Sequence, residues 1–245
     1  MVYKAKKGQV SYGEAVGIIL LDQQSCPFIP GDVANATSYR YPVRFQRVEG
    51  FTVERIMRHD LTLQDHVLAA GKALVREGVR AITGDCGFMV IYQEKLTETL
   101  GVPAFMSSLL QIPFIGRIIG KSRKIGIVTA NASSLDESVL KKADAEDLGG
   151  LVIKGLENTE HFGPVALHET TDVLDSEKVE AEVVGAAVEI TKRDPSVGAI
   201  LLECSLLPPY GAAVQEAVNL PVFDFLTMID YVHSAVVKRR FEGHL

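Results

Sequence analysis

Short apolar runs rich in β-branched residues recur along the chain at 15–21, 79–83, 103–106, 124–129, 150–155, 198–203 and 221–225. Continuous runs of this kind mark strands covered on both faces. Between them lie stretches whose apolar positions return every three or four residues, which predicts βαβ units and parallel sheets flanked by helices. In 61–78 the helical period sets Leu63, Val67, Ala70 and Leu74 on one face, and in 177–194 it does the same for Val179, Val183, Ala186 and Ile190. A further helix is expected from the serines of "ASSLDESVLKKA", read as a capping box with Asp136 and Glu137, and another over about 226–240. The segment "TSYRYPVRFQR" reads as a strand with solvated charges, and "DLGGLVIKG" as a helix stop followed by a strand.

The pattern also repeats. Residues 78–112 slide onto 196–230 without a gap, and eight positions coincide: Val79/Val197, Ala81/Ala199, Ile82/Ile200, Cys86/Cys204, Tyr92/Tyr210, Glu98/Glu216, Pro103/Pro221 and Phe105/Phe223. Composition alone gives about two. With "AVGIIL" and "KIGIVT" as matching first strands, the chain reads as a duplicated α/β unit. The expected fold is two lobes related by a pseudo-twofold axis, each a parallel sheet flanked by helices, with the active site in the cleft between them. One lobe takes 1–118 plus 226–245, and the other takes 119–225.

Composition narrows the function. The 245 residues are 47% hydrophobic and 23% charged, with a net charge of −6, and no basic cluster is interleaved with aromatics. That excludes an extended phosphate-binding surface, so no nucleic-acid partner is expected. The basic start followed by a six-residue apolar run reads as neither a signal peptide nor a membrane span. With three cysteines, Cys26, Cys86 and Cys204, the expected compartment is a reducing cytoplasm and the thiols are expected to be free. The six histidines show no ligand-like pairing with the cysteines, and no metal site is expected.

The cysteines of the repeat fall just beyond the carboxyl ends of predicted strands, where open α/β sheets bind ligands. A helix N-terminus there lowers a thiol's pKa and raises its thiolate fraction. If equivalent loops of the two halves converge, one sulfur stands on each face of a small substrate. A thiolate then removes the proton from a carbon next to a carboxylate, and the opposite thiol returns one to the other face. The carbanion needs hydroxyl and N–H donors, for which Thr129, Asn131, Ser133, Ser205, Gln23 and Ser25 are candidates. Asp22 is a candidate to orient a substrate amine, or else a local cap. The apolar residues after the cysteines, including Phe88 and Leu206, predict a small pocket with one apolar wall. Cys26 lacks a repeat partner and reads as structural.

The two-lobe pattern with "GDCG" and "ECSLLPPY" resembles the aspartate/glutamate/hydantoin racemase superfamily, whose members work without cofactors and place a catalytic cysteine in each lobe. The resemblance implies that Cys86 and Cys204 are the acid/base pair and that the loops after "VGIILL" and "KIGIVT" contact the substrate. The implied activity is racemisation of a small amino acid or hydantoin-like substrate, with no cofactor, in a homo-oligomer. Gly87 resembles the small residue found near the first cysteine of hydantoin-type relatives and leaves backbone N–H as the donor there. Asp85 and Glu203, next to the cysteines, depart from the pattern, because a nearby carboxylate raises a thiol's pKa. Decarboxylation of a substituted malonate, cis–trans isomerisation of a dicarboxylate and plain binding of a small acid are the alternatives on the same scaffold.

Overall fold

The computed structural model describes residues 2–22 and 24–244. In chain order its elements are β1 (Val16–Leu20), β2 (Val43–Arg47), α1 (Val53–Met57), α2 (Gln64–Arg76), β3 (Ala81–Gly84), α3 (Gln93–Leu100) and α4 (Ile112–Ile119). They continue with β4 (Lys124–Thr129), α5 (Glu137–Lys142), β5 (Leu151–Gly155), α6 (Phe162–Ala166), α7 (Ser176–Arg193), β6 (Val197–Leu202), α8 (Gly211–Val218), β7 (Val222–Phe223) and α9 (Phe225–Val236). The strands form two sheets, ordered β2-β1-β3 and β5-β4-β6-β7, with every pairing parallel. This is the α/β architecture the hydrophobic pattern predicts, since strands such as β6 are buried along their whole length and carry helices on their faces.

The duplication extends into hydrogen bonding. Ile82 N–H donates to the Pro103 carbonyl at 2.9 Å, and Ile200 N–H donates to the Pro221 carbonyl at 2.9 Å. α3 and α8 occupy equivalent stretches, and each ends in a left-handed residue, Gly101 at φ 69° and Asn219 at φ 51°. Glycine and asparagine are the residues that tolerate that conformation at a helix end. The stretch "PAFM" is the equivalent of β7 but forms only an isolated bridge, Ile82 with Ala104.

The predicted helix faces are the buried ones. Leu63, Val67, Ala70 and Leu74 join one core with Ile19 and Ile82, and Val179, Val183, Ala186 and Ile190 join another with Val128 and Ile200. The first core also contains Ile125, Ile127 and Leu201, so the two sheets share apolar packing. The C-terminal helix α9 packs Phe225, Met228 and Ile229 against Val16, Ile18 and Ala81 of the first sheet. Two local readings are corrected. Asp136, not a serine, caps α5, accepting from the N–H groups of Ser138 and Val139, because an aspartate at that position reaches both donors. The segments after the cysteines are 3-10 turns, Gly87–Tyr92 and Pro208–Tyr210, and the α-helices α3 and α8 begin only after them.

Among the described residues no helix is long and apolar enough to cross a membrane.

Candidate active site

Parallel strands leave their C-terminal N–H and C=O groups at one edge of the sheet, and both halves of the chain use that edge in the same way. Asp85 N–H donates to the Ile19 carbonyl at 3.1 Å, and its counterpart Glu203 donates to the Val128 carbonyl at 2.8 Å. The side chains then turn back on the neighbouring strand end. Both Asp85 carboxylate oxygens accept from Leu21 N–H at 3.1 Å. Glu203 accepts from Ala130 N–H and, on Oε2, from the Thr129 hydroxyl at 2.8 Å. These contacts fix the strand ends from which the cysteines project. Met89 N–H and Leu207 N–H close the equivalent turns on the Cys86 and Cys204 carbonyls at 3.0 and 3.1 Å.

Cys86 and Cys204 line the same cavity. They reach it from different cores, the first from the core around β3 and the second from the core around β6. Asp85, Ser205, Leu206 and Cys26 line it as well. Val53, Met57, Val165, Ala166 and Leu167 supply apolar lining. Of the residues expected to give an apolar wall, Leu206 lines the cavity, whereas Phe88 is buried in the core and stacks on His59. The cavity holds about 30 Å³, room for one or two waters.

Both thiols are pushed well above the ordinary cysteine range, first by burial and then by the charge of Glu203, to which Asp85 adds for Cys86. This reverses the lowering expected of a helix N-terminus. The N–H groups of Phe88 and Met89 on Cys86, and of Leu206 on Cys204, pull the other way. They belong to short turns, which lack a long helix's dipole, and they do not outweigh the loss of water. Burial also drives the two carboxylates upward, Asp85 and Glu203 each to about 7. Cys26, which faces Asp32 and Glu169, is pushed up to about 12 by burial first.

The structure therefore brings Cys86, Cys204, Ser205 and Leu206 together on the cavity, and the other described candidates do not line it. Asp22 is buried, pairs with Arg47 at 3.2 Å and accepts from Gly50 N–H at 2.8 Å, tying β1 to the turn after β2. Ser25 is exposed, and Gln23 lies outside the described residues. Gly87 lies against Glu203, and Thr129 holds that carboxylate. Asn131 accepts from Ser133 N–H at 3.0 Å and from its hydroxyl at 2.7 Å, closing the loop after β4. Gln24, Glu169 and the 165–167 wall belong to the lining although no sequence pattern marks them, and Asp85 and Cys26, read from the sequence as a departure from the family pattern and as structural, line it as well. The rarity of cysteine was the signal for Cys26, and nothing in the repeat pointed to 165–169.

Among the described lining residues the charged groups are Asp85 and Glu169, with no lysine, arginine or histidine. Glu169 sits at φ 49°, a conformation that costs a non-glycine residue. Among the described residues no cluster of three or more histidine, cysteine or acidic side chains is placed to hold a metal ion.

No family model matches the chain. A dimethylsulfoniopropionate lyase of Durusdinium sp. clade D is 34% identical over 224 residues, which is 89% of this chain and 73% of that protein. Dimethylsulfoniopropionate lyase 5 of Emiliania huxleyi (strain CCMP1516) is 34% identical over 231 residues, covering 90% of this chain and 45% of that longer protein. Among solved structures, unliganded arylmalonate decarboxylase superposes with a TM-score of 0.57 at 15% identity, covering 94% of this chain and 95% of that one. Allantoin racemase from Klebsiella pneumoniae gives 0.58 at 13%, covering 93% and 96%. With a third of its residues shared with enzymes of one name, the chain belongs to the dimethylsulfoniopropionate lyase family, and it has the two-sheet fold seen in the arylmalonate decarboxylase and allantoin racemase structures.

Proposed function

We propose that this protein is a lyase that removes the proton from the carbon next to a carboxylate and expels a cationic leaving group from the following carbon. Dimethylsulfoniopropionate, which the relatives' names specify, has that layout. A cysteine thiolate takes the Cα proton, the C–H electron pair becomes the Cα=Cβ double bond, and the Cβ–S bond breaks. Neutral dimethyl sulfide leaves, acrylate remains, and one proton is released overall.

The observation that carries this reading is the shared cavity of Cys86 and Cys204, acidic elsewhere and without a basic side chain among its described lining. Such a lining attracts a sulfonium cation and repels the second carboxylate of glutamate or aspartate. Gln24 is its uncharged amide donor and is assigned to the substrate carboxylate, where negative charge builds up as the proton leaves. The apolar side formed by Val165, Ala166 and Leu167 accommodates the two methyl groups on sulfur.

The test is to incubate the protein with dimethylsulfoniopropionate and follow dimethyl sulfide by gas chromatography and acrylate by NMR. Stoichiometric appearance of both supports the reading, and no release over the uncatalysed rate ends it. The duplication favours a second reading, inversion at a carbon held between one thiol from each half. Both enantiomers of an amino-acid and hydantoin panel, incubated in deuterated buffer, separate the two: exchange with inversion and no sulfide release would select racemisation.

A further inference from the structure

Glu203 is fully buried, and its two oxygens differ. Oε2 is held by the Thr129 hydroxyl at 2.8 Å, while Oε1 is buried with no hydrogen-bond partner. An unpartnered oxygen of this kind carries a substantial cost unless it has a use. Its counterpart in the repeat, Asp85, has both oxygens on Leu21 N–H, whereas Glu203, which accepts from the equivalent Ala130 N–H and from Thr129, keeps Oε1 without a partner. Oε1 comes to rest against Gly87, the residue after Cys86, where any Cβ would collide with it. Among charged groups, Glu203 is the foremost influence on Cys86 and on Cys204 alike. The other ionisable groups about the thiols among the described residues are Asp85, Asp32 and Tyr92, with Cys26 and Glu169 on the cavity lining, and no cation is among them.

We propose that Glu203 is the internal proton acceptor of the cavity thiols: its free Oε1 takes the S–H proton when a sulfur becomes a base, and passes a proton to solvent at the end of the cycle. Glu203 acts through the thiol and does not touch substrate, so it is a positioning residue. The bookkeeping closes with the reaction proposed above, on which this step rests. A thiol facing a carboxylate becomes a thiolate facing a carboxylic acid. The thiolate takes the Cα proton, dimethyl sulfide and acrylate leave, and the acid returns its proton to water. One proton is released per turnover, as the overall reaction requires. A buried thiol otherwise has to ionise into a site with no cation to receive its charge, whereas the transfer keeps the pair at a single negative charge throughout.

The signature is a titration that needs no substrate. While Glu203 is protonated, thiolate grows with pH. Once the pair has lost its first proton, the thiolate share is set by the internal transfer alone and stops growing. The ultraviolet thiolate band of the wild type is therefore expected to level off above about pH 7, where Glu203 titrates. In Glu203→Gln the band keeps rising, about tenfold per pH unit, until the thiol itself is titrated. Cys86→Ser and Cys204→Ser assign the band to its sulfur. Readings stay below about pH 9, where tyrosines remain protonated. Thr129→Val, which keeps the carboxylate but removes a hydrogen bond to its charged form, shifts the levelling point to higher pH and serves if Glu203→Gln does not fold. Superimposable curves for wild type and Glu203→Gln, or an unmoved levelling point in Thr129→Val, overturn the proposal. A wild-type plateau without sulfide release would sink the lyase reading alone, and sulfide release with superimposable curves would sink this inference alone.

Discussion

Ser205 donates its hydroxyl to the backbone carbonyl of Asp85, so the residue after the second cysteine is fastened to the residue before the first. A reciprocal tie runs the other way, from the Ser108 hydroxyl to the Glu203 carbonyl at 2.8 Å. Each strand end that bears a cysteine is thus held by a serine from the opposite half, and the relative placement of the two sulfurs depends on these bonds. In Ser205→Ala the buried Asp85 carbonyl loses that partner. The expected cost is about 1–3 kcal/mol, read as a lower denaturant midpoint, with turnover falling further than stability because the thiols lose their alignment.

Gly87 admits no side chain. A Cβ there would occupy the place of the Glu203 carboxylate, which Thr129 and Ala130 hold from the far side. Gly87→Ala is expected to destabilise the fold by about 1–3 kcal/mol and to displace the carboxylate. Chemical denaturation measures the first effect, and the ultraviolet thiolate titration of the variant measures the second. A variant as stable as wild type with an unaltered titration would show that the close approach does not matter.

The division between what the sequence carries and what it does not follows from locality. Strand positions, helix faces and the equivalence of Cys86 and Cys204 are written in periodicity and repetition, and they reappear down to paired hydrogen bonds such as Ile82 to Pro103 and Ile200 to Pro221. The ionisation of the thiols is not local. It depends on burial and on carboxylates that the fold packs beside them, so the helix-end argument predicts the wrong direction. The cavity wall at 165–167 and Glu169 come from a segment outside the detected repeat, and no spacing rule relates them to the cysteines. The same holds for the reaction. Proton removal beside a carboxylate is legible in two cysteines, but a sulfonium leaving group is not, because no residue pattern in the sequence encodes the charge of the group on the next carbon.

Stability should fall as pH rises through neutrality. Asp85 and Glu203 titrate near 7 and Asp32 near 8, all raised chiefly by burial above their ordinary carboxylate values. For an acid whose folded-state pKa is raised, the neutral form is favoured by folding. Its contribution is complete below the unfolded value near 4 and is lost as pH climbs to the folded value. Denaturant midpoints are therefore expected to drop between pH 5 and pH 8, by an amount on the order of a few kcal/mol. Glu203→Gln should flatten part of that slope. A midpoint that rises over the same interval would contradict the assignment.

Glu169 should govern binding rather than chemistry. It lines the cavity from the loop after α6, whereas the thiols follow β3 and β6. In Glu169→Gln the attraction for the sulfonium cation is lost while the base is untouched, so KM is expected to rise by about tenfold with kcat little changed. A neutral thiol reagent should label the cavity cysteines of both proteins alike, whereas an anionic one should label the variant faster. Equal KM values in the two proteins would remove Glu169 from recognition.

The two cysteines themselves separate elimination from inversion. Elimination needs one base, since the electrons leave with dimethyl sulfide and no proton is returned to carbon. Inversion needs a base on one face and an acid on the other. Serine in place of cysteine keeps the size of the group but removes the acidity, and losing the base costs about 10²–10⁴ in rate. For a lyase, one of Cys86→Ser and Cys204→Ser therefore loses sulfide release by that factor, while the other stays within about tenfold because its sulfur only shapes the cavity. For a racemase, both variants lose inversion, and each retains deuterium exchange into one enantiomer only. Measuring sulfide release and Cα exchange on the same two variants distinguishes these outcomes. Wild-type rates in both variants would remove the thiols from the chemistry altogether, although both line the cavity.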